Sequence, residues 1–289
     1  MKVLVIGASG QLGHDVTNEL INRKITCITS DVIGNVNYLL DVTNYDNAFK
    51  TIKEIKPDAI INCAAWTKVD DAEDIENKDK VYALNVTIPH NLSLISKELN
   101  CKLMHISTDY VFDGKGETPW KPDDKNYNPL SNYGKTKLLG EKEVTILDKF
   151  FIVRIAWLFG GPVSFVNTML KVGKTHDEVK VVKDQIGTPT YSKDLARLLV
   201  DMIQTDKYGY YHATNEGGYI SWYDFCEEIY KQAGLKTRVI PVTTKEYGLS
   251  KAVRPFNSRL DKSKISLNGF NRLPDWKDAL SRYLKTIEI

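Results

Sequence analysis

Long apolar runs are missing from this 289-residue chain. None approaches the ~20 consecutive apolar residues that a membrane-spanning helix needs. A dominant charge is missing too: 39 Lys+Arg against 37 Asp+Glu leave a formal net charge of +2. So even a balance argues against nucleic acid or an anionic membrane surface as partner. Cysteine is scarce. Cys27, Cys63, Cys101 and Cys226 lie far apart with no C-x-x-C spacing, which suggests neither a zinc site nor a redox pair. They read as small, mostly buried side chains in a reducing compartment. Internal repeats and low-complexity tracts are absent. A glycine at position 7 cuts short the first apolar run, so no signal-peptide pattern forms. A cytoplasmic globular protein is expected, as one large domain or two unequal lobes.

What is present begins at the third residue. Val3-Leu4-Val5-Ile6 reads as a buried parallel strand, and Gly7-Ala8-Ser9-Gly10-Gln11-Leu12-Gly13 follows at once. The spacing G-x-x-G-x-x-G between a strand and a helix (Asp15 to Leu20) is the context of a dinucleotide loop. There the glycines let backbone N–H groups approach a pyrophosphate, and the helix N-terminus adds partial positive charge. A second strand, Ile25 to Ser30, ends at Asp31, placed to accept hydrogen bonds from the adenosine ribose. An aspartate there favours NADH over NADPH, whose 2′-phosphate it repels.

The pattern continues as alternating strands and helices. Asp41-Val42-Thr43 opens a helix over Tyr45 to Ile55, with Thr43 or Asn44 as N-cap. Ala59 to Ala65 reads as a strand running into small residues that leave room for a ligand. A polar helix is expected from about Asp70 to Asn85, then a helix Leu92 to Leu99 and a strand Lys102 to Ser107. Asp113 to Pro129 is a loop long enough to suggest function. Asn132 to Thr145 reads as a helix and Phe150 to Ile155 as a strand. Beyond Gly160 the pattern is less regular: strand-like Val179 to Val182, then helices Ser192 to Ile203 and Ser221 to Ala233. The fold class is α/β: a Rossmann-type doubly wound parallel sheet with a smaller α+β C-terminal lobe. Residues 1–160, also receiving 180–204, form the nucleotide domain, and 161–289 the substrate lobe.

Tyr133 and Lys137 stand at i and i+4, on one face of a helix. An ammonium beside a phenol favours the phenolate, so Lys137 is expected to lower the Tyr133 pKa toward working pH. Such a tyrosine exchanges a proton with a carbonyl or alcohol oxygen. Ser107 or Thr108 ends the strand Met104 to Ser107, at the edge where ligands meet parallel sheets. For Asp109 a turn role and a direct role weigh equally. His105 reads as structural, and His14 as a helix-start residue.

These elements resemble the extended short-chain dehydrogenase/reductases, and within them the dTDP-4-dehydrorhamnose reductase family. The resemblance spans the chain. It rests on Gly7 to Gly13, Asn62 to Glu73, Ser107 to Gly114, Tyr133 to Lys137, Arg154 to Gly160, Asp184 to Thr190 and Arg254 to Asp261. It implies Thr108, Tyr133 and Lys137 as catalytic triad. It implies Gly7, Gly10, Gln11, Leu12 and Gly13 at the pyrophosphate, Asp31, Asp41 and Val42 near the adenosine, and Ala64, Ala65 and Thr67 along the cofactor. Thr108, Asp109, Tyr110, Trp157, Gln185 and Arg254 are implied for the nucleotide-sugar. The implied cofactor is NADPH or NADH, and the implied substrate a dTDP-sugar with a 4-keto group.

Two departures matter. Some members hold magnesium at a homodimer interface through glutamates; one such position is Asp15 here, and Lys193 stands near another. No metal ligands are assigned, and a homodimer is left open. Sugar-nucleotide dehydratases carry Asp-Glu after the Ser-Thr, whereas Tyr110 follows Asp109 here, which argues against dehydration. A related epimerase or reductase, and a non-catalytic regulatory subunit of the same fold, remain as alternatives. The intact triad weighs against the latter.

Overall fold

In this computed structural model residues 1–288 are described. The first strand, β1 (Lys2–Ile6), lies inside a sheet covered on both faces. Val3 and Val5 join the apolar core beneath α1 (Gln11–Asn22), while Leu4 and Ile6 join the core on the opposite face. A strand buried on both faces cannot alternate apolar with polar, which explains the continuous run. The remaining strands are β2 (Thr26–Asp31), β3 (Tyr38–Leu39), β4 (Ala59–Asn62), β5 (Lys102–Thr108), β6 (Phe150–Ile155) and the strand Gly209–His212. The order across this seven-stranded sheet is Gly209–His212, β6, β5, β4, β1, β2, β3. Every pairing is parallel. The order reverses between β1 and β4, and ligands of such sheets bind in the crevice at that point.

Helices α2 (Tyr45–Ile55), α3 (Lys78–Tyr82), α4 (Ile88–Leu99) and α5 (Asn132–Val144) supply most of the remaining cover. Asn44 is the N-cap of α2, its Oδ1 accepting from Asn47 N at 3.1 Å. The helix expected over 70–85 forms only from Lys78; residues 71–73 and 75–77 are isolated 3₁₀ turns. Long-range bonds hold that stretch away from a helix. Glu73 accepts from Asn132 N at 2.7 Å, and Asp70 accepts from Ala252 N at 3.0 Å. From Lys78 the chain stays helical to Leu99 through a π-turn over Ala83–Thr87.

The second lobe gathers three helices, Phe165–Gly173, Trp222–Ala233 and Trp276–Leu284, around Phe159, Tyr191, Phe225 and Tyr283. Glu178–Val182 pairs with Arg238–Val242 in this lobe, apart from the large sheet. Further along the chain the packing changes sides, to the core under the large sheet. The helix Ser192–Ile203 has its Leu195, Leu198, Leu199 and Met202 fully buried in the core with α1. Burying each such side chain contributes ~1.5–3 kcal/mol.

Candidate active site

The crevice at the sheet reversal is built from backbone. Gly7 leaves β1 at φ +77°, and a Cβ there would sit 2.6 Å from Ala64 N. Only glycine lets the two strand ends meet. Ala64 N donates to Asn62 Oδ1 at 3.1 Å, which holds the Ala64-Ala65 turn at the end of β4. Gly10 starts α1 without any side-chain cap, and Gly13 sits in its first turn. Leu12 points into the core, so it presents only backbone to the crevice. Gln11 Nε2 is buried without a partner, its side chain lying against Gly161. Gly10, Gln11 and Thr67 face Gly160 to Val163 across a cleft of about 440 Å³. An uncapped helix start beside an unpartnered amide donor fits a diphosphate.

The residues expected near the adenosine are tied into turns. Asp31 accepts from Ser9 N at 2.9 Å and Val32 N at 2.7 Å. It therefore joins the glycine loop to the end of β2. Asp41 Oδ1 accepts from Thr43 N at 2.9 Å and Thr43 Oγ1 at 2.7 Å, shaping the turn before α2. The Val42 side chain is buried, and its carbonyl accepts from Asn91 Nδ2 at 2.8 Å.

β5 and α5 bring Thr108 and Tyr133 of the expected triad side by side. Ser131 caps α5, its Oγ accepting from Gly134 N at 3.1 Å. A Cβ on Gly134 would collide with the Tyr110 carbonyl, so this glycine lets the start of α5 press against the end of β5. Tyr133 consequently meets Tyr110 edge-on, with ring centroids 5.5 Å apart, and its phenol lies beside the Thr108 hydroxyl. The Thr108 hydroxyl also lies 3.0 Å from Asp109 Oδ1 and accepts from Tyr110 N at 3.3 Å. Its single proton is directed at Asp109.

Lys137 differs from expectation. Its amine donates to Ile106 O at 2.7 Å and lies 3.3 Å from His105 Nε2. The Tyr133 phenol is raised, not lowered: burial is the main cause, Thr108 opposes it, and Asp109 and Tyr110 add to it. Spacing at i, i+4 aligns the two Cβ atoms, but the lysine stem reaches across to β5. Burial lowers Lys137 itself to about 8, with Glu141 and Cys63 acting the other way.

The residues expected at the nucleotide-sugar are paired with other side chains. Asp109 is buried; burial pushes its carboxyl up to about 6, against hydrogen bonds from Ser258 and Thr108, and its Oδ2 has no partner. Arg254 donates to Asp70 Oδ2 at 2.6 Å, Tyr110 Oη at 3.2 Å and Ser250 Oγ at 3.2 Å. Burial pushes the Tyr110 phenol up to about 12, with the Arg254 charge opposing. Gln185 is buried and donates to Thr244 Oγ1 at 3.0 Å. Its neighbour Ile186 exchanges backbone bonds with Phe256 and Ser258, so this strand runs beside the Arg254 segment. Trp157 adopts φ +51° and stacks on Trp222 with centroids 3.9 Å apart.

Below the site, Arg154 and Glu141 are fully buried and form two charge-assisted bonds, at 2.8 and 2.7 Å. Glu141 accepts from Ser107 Oγ, while Arg154 donates to Pro122 O at 3.2 Å and Tyr127 Oη at 2.8 Å. This pair fastens the loop of residues 113–129 to the sheet. Sequence reasoning missed Ser258, Asp70, Glu141 and Arg154 as parts of the site. Asp70, Arg154 and Ser258 lie inside segments that carry the family resemblance, which was the available signal. Among the described residues, no three His, Cys, Asp or Glu side chains group to hold a metal ion, and no helix is long and apolar enough to cross a membrane.

The family model described as RmlD substrate binding domain matches residues 1–289. The dTDP-4-dehydrorhamnose reductase of Aggregatibacter actinomycetemcomitans is 39% identical over 295 residues, covering 96% of this chain and 97% of that protein. A crystal structure of a dTDP-4-dehydrorhamnose reductase from Clostridium acetobutylicum superposes with a TM-score of 0.93 at 42% identity, covering 100% of both chains. That of the Bacillus anthracis dTDP-4-dehydrorhamnose reductase, in complex with NADP, gives 0.91 at 39% identity, covering 99% of this chain and 100% of that one. A shared fold, matches over the whole length and the local geometry of β5 and α5 agree: the chain belongs to the RmlD family, that of the dTDP-4-dehydrorhamnose reductases.

Proposed function

We propose that this protein reduces the 4-keto group of dTDP-4-dehydro-L-rhamnose to give dTDP-L-rhamnose, using NADPH or NADH. The observation that carries the reading is the placement of Tyr133, in the first turn of α5, against Thr108 and Tyr110 at the end of β5, with Lys137 one turn further along α5. The reduced nicotinamide, when bound, supplies the hydride. Gly7, Gly10, Gln11, the Leu12 backbone and Gly13 hold the pyrophosphate at the start of α1. Asp31, Asp41 and Val42 border the adenosine, and Ala64, Ala65 and Thr67 line the path between. Thr108 holds the ketone oxygen, and Tyr133 gives its proton to the alkoxide that develops there. A raised phenol keeps that proton until the oxyanion is strong enough to take it. Lys137 serves the nicotinamide ribose. Asp109, Tyr110, Trp157, Gln185 and Arg254 border the nucleotide-sugar.

A ketone reduction with a tyrosine acid needs no metal, so the reading includes none. The first lobe is assigned residues 1–160 with the helix Ser192–Ile203 and the strand Gly209–His212; the remainder forms the substrate lobe. A cytoplasmic protein, alone or as a homodimer, fits this reading. The test is oxidation of each reduced nicotinamide by the purified protein on adding dTDP-4-dehydro-L-rhamnose. Formation of dTDP-L-rhamnose is expected. Cofactor binding without turnover would support a non-catalytic subunit, and would overturn the reading.

A further inference from the structure

His105 lies on β5, wholly buried, and both of its ring nitrogens have protein neighbours. Nδ1 is 3.2 Å from Asn62 Nδ2, and Nε2 is 3.3 Å from Lys137 Nζ. The orientation of Asn62 is settled by its other contact, since Oδ1 accepts from Ala64 N at 3.1 Å. The amide nitrogen therefore faces His105, and an amide nitrogen only donates. Nδ1 must accept, so a neutral imidazole carries its proton on Nε2. That N–H points at Lys137 Nζ. An ammonium has no lone pair with which to accept it, whereas a neutral amine has one. A neutral Lys137 accepts from His105 and still donates to Ile106 O, its partner at 2.7 Å.

We propose that His105 is a positioning residue that parks Lys137 against β5 as an uncharged amine until cofactor and substrate fill the cleft. When Lys137 takes a proton from water, its lone pair is lost and the contact with His105 gives way. The lysine is then free to turn toward Tyr133 and the cofactor. This accounts for the position of the amine, which points at β5 and not at the phenol. The other ionisable groups near the pair are few. Glu141 from α5 favours the charged lysine. Cys63, past the end of β4, is pushed up to about 12 by burial and stays a thiol. Burial brings Lys137 to about 8, which puts the neutral amine within reach of ordinary pH. The charge state rests on this geometry alone; only the consequence for turnover rests on the function proposed above.

The experiment is NMR of the cofactor-free protein with ¹⁵N-labelled histidine and ε-labelled lysine. His105 is expected as the neutral Nε2–H tautomer throughout the neutral range, and Lys137 is expected to titrate near or below 8. A Nδ1–H tautomer, an imidazolium, or a Lys137 still mostly charged at about pH 9 would each overturn the proposal, whatever the activity. In His105→Phe, which keeps the ring and loses the N–H, the Lys137 midpoint should rise by about one pH unit. His105→Gln, which restores a donor, should return part of that shift, and the alkaline limb of the kcat profile should move with it. If the midpoint is the same in folded His105→Phe and in the parent, the hydrogen bond is absent and the proposal fails. The tautomer measurement stands even if both variants fail to fold.

Discussion

The two ends of the cleft are made of different material. At the cofactor end, the surface is backbone: a glycine turn, an uncapped helix start and two alanines, with Leu12 turned into the core. At the end proposed for the sugar it is side chains already engaged with others, Arg254 with Asp70 and Tyr110, Asp109 with Thr108, Gln185 with Thr244. The difference teaches where each end is vulnerable. A backbone surface is damaged by added volume. A surface of paired side chains is damaged by removal, because the partner left behind is uncompensated. It also has to exchange internal partners for ligand ones, so its affinity is a difference between two sets of bonds.

Tyr133→Phe should give the largest effect. Losing the general acid should lower kcat by ~100- to 10,000-fold. Cofactor affinity, measured by fluorescence titration, should stay within a few-fold. More than half the parent rate would remove Tyr133 from the mechanism. Lys137→Ala should lower both turnover and cofactor affinity.

Gly7→Ala tests the backbone end. The added Cβ meets Ala64 N at 2.6 Å, at a residue with φ +77°. Cofactor binding should be lost or nearly so, and overpacking and strain should destabilise the fold by ~1–3 kcal/mol, read as a lower melting temperature. Normal NADPH affinity in this variant would mean that the strand ends can part at no cost, and the contrast between the two ends would collapse.

Asp109→Asn should show a pH-dependent gain in stability. Burial holds the folded carboxyl at about 6, above its ordinary 3.8. The charged form is thus penalised above about pH 6, and the penalty vanishes once both states are protonated below about 4. The stability of the variant relative to the parent should rise between pH 3 and pH 8 by as much as ~3 kcal/mol, read from urea unfolding. Any fixed loss from an unpaired amide cancels in that difference. A flat difference would show that Asp109 is solvated in the cleft.

Arg254→Ala is expected to raise KM for the sugar nucleotide about tenfold, the worth of one charge-assisted bond, with less effect on NADPH. Stability should change by under ~1 kcal/mol, because the ion pair with Asp70 is partly exposed. Asp70→Ala sharpens the test. It frees the guanidinium, and KM should then fall if the pair competes with the diphosphate. A raised KM in both variants would make Asp70 a ligand contact instead.

The smallest effect belongs to Asp31→Ala. A shift in catalytic efficiency toward NADPH is expected from loss of a carboxylate near the ribose. Asp31 also accepts from Ser9 and Val32 backbone N–H groups, so some loss of affinity for both cofactors should accompany it. Unchanged ratios would confine Asp31 to shaping its loop.

What could be read in the chain follows the same division. The strands β1, β2, β4, β5 and β6 and the helices α1, α2, α5 and Ser192–Ile203 announce themselves by local periodicity, and α2 by its cap as well. The glycine loop and the Tyr133/Lys137 spacing are equally local. Long-range bonds are not visible in that way. Asp70 and Glu73 are drawn to Ala252, Arg254 and Asn132, so a helical-looking stretch stays irregular until Lys78. The strand Gly209–His212 is short and carries three polar-tipped aromatics or imidazoles, and only its pairing with β6 makes it part of the sheet. Ser258 reaches Asp109 from the far end of the chain, which no local pattern reports. The orientation of Lys137 is a tertiary property too, set by groups on β5.

The stack of Trp157 on Trp222 also equips the molecule with an optical gauge. Two indoles with centroids 3.9 Å apart and planes at 20° couple their excited states. One ring stands just past the end of β6, after Ala156, and the other opens a helix of the second lobe, so the coupling depends on how the two lobes sit. Near-ultraviolet circular dichroism should therefore carry a split band that weakens when the lobes part and sharpens when a ligand draws them together. Because the band belongs to this pair, it would follow closure of the cleft without a label.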